Sequence, residues 1–217
     1  MSLKIRVYSD FVCPFCFLAK TPFEEAIQGK DVEVEWMPFE LRPSPSPKLD
    51  PWNDPSKLQG WESYIRPAAS RLGIEMKLPR ISPHPYTGLA FEGFHFAKEH
   101  GKGNEYTSRV LKAFFQEELH IGEVDVLTKL AGELGLPQEA FRAALETGAY
   151  RQTQREALAH AYEEAGITAV PTFIIGSERI QGVAGRDVFE RVLAQELQAA
   201  EAAPVEGLQC DVNGNGC

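Results

Sequence analysis

Runs that read as strands fall near the two ends of this chain, and nowhere convincingly between them. Leu3 to Tyr8 alternates, and Val32, Val34 and Trp36 interleave with Glu33, Glu35 and Met37, the period of a half-buried strand. The run Leu18 to Ile27 between them reads as a helix ending near Gly29, so the chain opens β-α-β. Phe39-Glu40-Leu41-Arg42-Pro43-Ser44-Pro45-Ser46-Pro47, with Pro51 and Pro55 beyond, suits neither a helix nor a central strand and reads as an extended linker. From about residue 56 to 165 the spacing is helical: Leu58–Leu72 with a kink at Pro67, then Leu89–Glu99, Asn104–Glu118, Glu123–Leu134, Gln138–Glu146 and Tyr150–Ala165. Thr172–Ile175 and Glu178–Gln181 then read as strands, and Gly185 to about Ala200 as a closing amphipathic helix. The fold class expected is α/β, a sheet assembled from both ends of the chain with a helical domain inserted between. The boundaries are residues 1–43 with 150–200 for the sheet domain, 44–149 for the insertion and 201–217 for a tail.

Two thiols sit in the first strand-to-helix turn. Asp10-Phe11-Val12-Cys13-Pro14-Phe15-Cys16-Phe17 places a Cys-x-x-Cys pair where the backbone N–H groups and the positive end of a helix dipole favour an anion. Cys13 is therefore expected to ionise more readily and act as the nucleophile, with Cys16, one turn on, as the resolving thiol.

A net charge of −9 provides no basic footprint for nucleic acid. No apolar run is long enough to span a membrane, and Met-Ser-Leu-Lys-Ile-Arg-Val-Tyr leads directly into the first strand without a secretory segment. A cytoplasmic location is expected, where a cysteine pair serves catalysis or redox sensing more often than structure.

The chain resembles the thioredoxin-fold superfamily in its DsbA-like branch with an inserted helical domain. Within that branch it is similar to the FrnE-type cytoplasmic proteins, related to 2-hydroxychromene-2-carboxylate isomerases. The residues that carry the resemblance are Ser9 to Cys16, the exit Phe39-Glu40-Leu41-Arg42-Pro43, and Gly166-Ile167-Thr168-Ala169-Val170-Pro171-Thr172-Phe173. It implies a cis Val170–Pro171 bond facing the dithiol, with Pro171 as a catalytic-loop residue and Val170, Pro14 and Phe15 contacting substrate. It also implies protein substrates carrying thiols or disulfides, attacked through a mixed disulfide. No cofactor is implied beyond the redox-active cysteines, with glutathione or the thioredoxin system as electron partner. Two departures refine this. Phe15 stands where DsbA-like oxidants carry histidine, so the pair is expected to be less oxidising, toward the thioredoxin end of a range from about −270 to about −120 mV. The isomerase branch has serine where this chain has Cys13, which argues against isomerisation of a small aromatic acid.

Cys210 and Cys217 enclose Asp211-Val212-Asn213-Gly214-Asn215-Gly216, whose Asn-Gly steps favour a turn, and they read as an auxiliary redox pair. The same stretch matches the opening of a calcium loop but ends before its terminal glutamate, and Phe17 stands where a zinc knuckle wants glycine, so no metal is expected. His84, His95, His100, His120 and His160 read as surface or helix-end residues, with His95–Glu99 an i,i+4 pair. Phe91, Phe94, Phe96, Phe114 and Phe115 read as the core of the helical domain. Two alternatives to a protein disulfide oxidoreductase/isomerase are a glutathione-dependent small-molecule isomerase or transferase, and a chaperone-like binding protein with a four-cysteine zinc site. The oligomeric state, monomer or dimer, is left open.

Overall fold

A computed structural model describes residues 2–202. Its four strands are β1 (Leu3–Ser9), β2 (Val32–Pro38), β3 (Thr172–Ile175) and β4 (Glu178–Gln181), in the order β2-β1-β3-β4. β1 and β2 run parallel in the register Leu3↔Val32 to Ser9↔Pro38, a pairing that needs a crossover, and helix α1 (Pro14–Ile27) provides it. β3 joins the other side of β1 antiparallel, Tyr8↔Thr172 to Ile5↔Ile175, and β4 pairs antiparallel with β3 at the edge. The two ends of the sequence thus meet at the central strand β1, as the alternating runs predict.

The sheet buries two unlike faces because side chains alternate along each strand. Leu3, Ile5 and Val7 of β1, with Phe173 and Ile175 of β3, face the larger core. Here α1 and the last helix α9 (Arg186–Ala202) close over the strands through an aromatic triangle. Phe23 and Phe173 lie 4.9 Å apart, Phe23 and Phe189 5.4 Å, and Phe173 and Phe189 4.8 Å. Tyr8, with Met37 of β2 and Ile174 of β3, faces a smaller cluster that also contains both thiols.

Between β2 and β3 the chain is helical. After a 3₁₀ turn at Pro51–Asn53 come α2 (Pro55–Gly60), a π-helical turn (Trp61–Ile65) and α3 (Arg66–Arg71), one unbroken helical run where the sequence predicts a helix kinked at Pro67. Pro67 lacks the N–H that an α-helix would bond there, and the Arg66 N–H reaches back to the Trp61 carbonyl, which leaves a π turn inside the continuous run. Helices α4 (Gly88–Glu99), α5 (Gly103–Phe115), α6 (Val124–Glu133) and α7 (Gln138–Thr147) follow within a few residues of their predicted limits. The predicted 150–165 helix is α8 (Arg151–Ala159) continued by a π turn, His160–Glu164. The predicted Asn104–Glu118 helix stops at Phe115, and Glu118 beyond it adopts φ 55°.

Phe91, Phe94, Phe96, Phe114 and Phe115 are all buried. They do not form a separate core, because Phe11, from the turn after β1, packs 4.4 Å from Phe91 and edge-on to Tyr106 at 6.4 Å. Phe17, one residue after the second thiol, stacks on Phe115 at 5.3 Å. The dithiol turn is therefore bracketed by two aromatic rings lodged among the inserted helices. No helix of the described residues is long and apolar enough to cross a membrane.

Phe11 is 1% exposed, so Phe11→Ala leaves a cavity where sheet and helices meet. It is expected to lower the unfolding free energy by about 3–5 kcal/mol, read as a fall in Tm on the order of 10 °C. A loss under ~1 kcal/mol in thermal or urea denaturation would show that this contact does not hold the two parts together.

Candidate active site

Cys13 is the N-cap of α1, with extended φ −86° and ψ 113°, and Pro14 occupies the first helical position, where a missing N–H costs nothing. The Cys13 carbonyl accepts from the N–H of Cys16 at 3.1 Å and of Phe17 at 3.4 Å, closing the first turn. That turn stacks the two cysteines. Both are free thiols, 3% and 2% exposed, while Phe15 between them stands 42% exposed on the rim. Burial, together with the adjacent Cys13 thiol, pushes the Cys16 thiol well above its ordinary value.

The partner of this turn comes from far along the chain. Val170–Pro171 is a cis bond, and the Cys13 thiol donates to the Val170 carbonyl at 3.5 Å. The loop is held from both sides. Thr172 Oγ1 donates to the Ala169 carbonyl at 2.7 Å, and Arg179 of β4 donates through Nη2 to the Ala165 carbonyl at 2.8 Å. Gly182 N–H donates to the Pro171 carbonyl at 2.8 Å. Cys13, Cys16 and Val170 share one buried cluster with Tyr8, Phe39, Ala161 and Ile167. Pro14 and Phe15 stand in the same turn, so these sequence-predicted residues converge. Cys210 and Cys217 lie outside the described residues.

Asp10, three residues before Cys13, carries no role in the sequence reading, yet it anchors the site. It is 1% exposed. Oδ2 accepts from the Leu41 N–H at 2.7 Å and Oδ1 from the Val12 N–H at 3.4 Å, with a further hydrogen bond from Thr87. One carboxyl thus ties the dithiol turn to the exit of β2 and to the residue capping α4. Burial raises Asp10 to about 7, against the opposing pull of those hydrogen bonds. The residue before Leu41 on that exit, Glu40, is 5% exposed and accepts from Gln154 Nε2 at 2.7 Å. Gln154 Oε1 in turn meets His95 Nε2 at 3.0 Å, so the proton sits on Nε2.

His95 is therefore buried and paired with Gln154, rather than exposed beside Glu99 as the sequence suggests. His84 is buried too, edge-on to Phe114 at 5.0 Å, and burial lowers it to about 4. Both stand in runs rich in turn formers or aromatics, where a polar residue flanked by buried neighbours is the available signal. Asp10 between Tyr8 and Phe11, and Glu92 between Phe91 and Phe94, show the same signature. Among the described residues no cluster of three His, Cys, Asp or Glu groups could hold a metal ion.

A family model, the DSBA-like thioredoxin domain, matches residues 4–194. The chain belongs to this family. An uncharacterized Bacillus subtilis (strain 168) protein, YwbO, is 65% identical over 196 residues, spanning 90% of this chain and 98% of YwbO. Among solved structures, a probable DsbA oxidoreductase from Streptomyces coelicolor superposes with a TM-score of 0.80 at 24% identity, covering 98% of this chain and 97% of that one. A 2-hydroxychromene-2-carboxylate isomerase gives 0.73 at 19% identity, covering 93% of this chain and 100% of its own. The cytosolic disulfide reductase DsbM from Pseudomonas aeruginosa, solved with GSH, gives 0.68 at 20% identity, over 90% and 100%. At these identities the shared property is the fold, with the helical insertion included.

The pH dependence of this DSBA-like chain follows from Asp10. A carboxyl whose folded value stands at about 7 against an ordinary 3.8 contributes stability that is fully present below about 4 and lost as pH rises through about 7. Between about pH 4.5 and 8 the wild type should lose on the order of a few kcal/mol more than Asp10→Asn does. Parallel urea curves for the two proteins would show no Asp10 contribution.

Proposed function

We propose that this chain is a cytoplasmic thiol–disulfide oxidoreductase/isomerase of FrnE type, acting on protein disulfides, with reductase or isomerase character. The observation that carries the reading is the Cys13 thiol lying 3.5 Å from the Val170 carbonyl, a dithiol set directly against a peptide edge. An extended substrate segment pairs with that edge as an added strand, which presents its sulfurs to Cys13.

The exchange balances as follows. The Cys13 thiolate attacks one sulfur of the substrate disulfide, forming a Cys13–substrate disulfide and releasing the other substrate sulfur as a thiol. Cys16 loses its proton, attacks the Cys13 sulfur and releases the second substrate thiol. The product is a Cys13–Cys16 disulfide, and the substrate has gained two electrons. Glutathione or the thioredoxin system restores the dithiol. Because burial holds Cys16 well up, its proton stays on until the mixed disulfide forms, which keeps the first attack on Cys13.

Phe15, half out of the surface beside a nearly covered nucleophile, offers an apolar contact for an unfolded segment and no charge to hold a thiolate. That favours a weaker oxidant over a strong one. Cys210 and Cys217 are assigned as an auxiliary pair that relays electrons to or from Cys13–Cys16.

Insulin-disulfide reduction with dithiothreitol, run on the intact protein, Cys13→Ser and a form ending at Leu208, tests the reading. Cys13→Ser should lose at least ~100-fold in rate, as expected when a nucleophile is removed, with the fold retained by circular dichroism. Cys16→Ser should accumulate a covalent mixed disulfide visible by mass. A fully active Cys13→Ser protein would overturn the mechanism. Loss on truncation at Leu208 would support the auxiliary pair, and unchanged activity would remove it.

A further inference from the structure

The last residue of β1 carries a hydroxyl that none of the exchange steps uses. Ser9 is 4% exposed, and its Oγ is buried without a hydrogen-bond partner among the described residues. An orphaned buried hydroxyl is costly, and beside reactive groups it marks a donor kept for a state other than the resting one. Side chains alternate along β1, so Ser9 follows Ile5 and Val7 toward α1, on the side opposite Tyr8. The Cys13 N–H bonds to the Asp10 carbonyl at 3.1 Å, a tight turn that folds α1 straight back over the end of the strand. Cys16, Ala19 and Phe23, at i, i+3 and i+7, belong to the buried side of that helix, and Cys16 is the one nearest the strand end.

The groups around the Cys16 sulfur pull in opposite directions. Burial and the Cys13 thiol oppose its ionisation, while the Ser9 hydroxyl and the Asp10 N–H favour it. In the dithiol the Cys16 proton is directed to the Cys13 sulfur, and the Ser9 hydroxyl has no anion to donate to. Once a substrate sulfur is bonded to Cys13, that sulfur can carry no charge and its opposition ends. The resolving thiolate then forms as a new buried acceptor, and hydrogen bonds to an ionised group are the strong ones.

We propose that Ser9 is a catalytic residue of the resolving step, its hydroxyl donating to the Cys16 sulfur as that sulfur becomes a thiolate and attacks the mixed disulfide. The inference rests on the exchange mechanism proposed above. In that step the Cys16 proton passes to solvent and the Cys16 sulfur bonds to the Cys13 sulfur. The Cys13–substrate bond breaks, and its electron pair leaves on the substrate sulfur. Ser9 keeps its own proton throughout.

Exchange with dithiobis(nitrobenzoate) isolates this step, in the full chain carrying Cys210→Ser and Cys217→Ser so that Cys13 and Cys16 are its only thiols. Cys13 releases the first coloured thiolate by attacking the probe, and Cys16 releases the second by closing on Cys13. Both phases are followed by stopped-flow absorbance from about pH 6 to 10. In Ser9→Ala the second phase should reach half its plateau about one pH unit higher than in the parent, the loss expected for a hydrogen bond to a charged group. Its rate should fall about threefold on the acid side and recover on the alkaline side, because a more basic thiolate is scarcer but a stronger nucleophile. The first phase should not change, and Ser9→Thr, which keeps the hydroxyl, should return the parent profile. An unmoved second phase would overturn the proposal. So would slowing of both phases alike, or of the second phase equally at every pH, which is the mark of a packing defect. The probe needs no protein partner, so the two readings fail separately. Loss of insulin reduction with the Ser9 shift intact would sink only the protein-substrate reading.

Discussion

A thiol pair that is to be both buried and reactive needs a turn whose backbone cannot move. In this chain that constraint is met by one carboxyl and two rings. Asp10 accepts hydrogen bonds from Val12, Leu41 and Thr87, groups contributed by the turn itself, the exit of β2 and the inserted helical region. Phe11 and Phe17 enter the aromatic packing on either side of the cysteines. The sheet alone could not hold the turn in place, because both rings pack against residues of the insertion, Phe91 and Phe115. The insertion is thereby part of the site's construction and not an appendage to it.

The same low-dielectric setting explains both unusual titrations at the site. Water is excluded from Asp10 and from Cys16, and in each case burial is the largest influence and favours the neutral form. For Asp10 the hydrogen bonds recover only part of that cost. Stability is therefore surrendered to hold the loop where the thiols need it, a pattern common at functional sites. Cys13 is also buried, and on one side it faces a main-chain carbonyl. The Val170 oxygen is tied down by Thr172, Arg179 and Gly182 through the loop's own carbonyls.

Much of this was legible in the chain. Period-2 runs located β1 and β2, the apolar run Thr172–Ile175 and the Gly176-Ser177 turn located β3 and β4, and helical spacing punctuated by glycines located most of the helices. The Cys-Pro-Phe-Cys and Val-Pro-Thr-Phe segments are far apart in sequence, and it was the family resemblance that joined them. What escaped was of two kinds. The irregularity at Pro67 is legible, but not its form: the Arg66 N–H reaches the Trp61 carbonyl as a π turn inside a continuous helical run, which depends on packing that periodicity does not encode. His84, His95, Asp10 and Glu92 are polar residues inside apolar surroundings. Their burial depends on long-range partners, Gln154 for His95 and Leu41 for Asp10, that no local pattern names.

The short exit from β2 is where these two kinds of information meet. Side chains alternate along it, so Met37, Phe39 and Leu41 point to the thiol cluster, while Glu40 lines a cavity on the other side. The Phe39 N–H bonds to the Ser9 carbonyl, which continues the β1–β2 register one step beyond the strands and fixes that alternation. A one-residue slip would place a carboxyl against Cys13 and an apolar side chain against Gln154, spoiling both places at once. The identity of Glu40 is accordingly set by the cavity and those of Phe39 and Leu41 by the thiols. The parallel pairing of β1 with β2 is what keeps the two demands in phase.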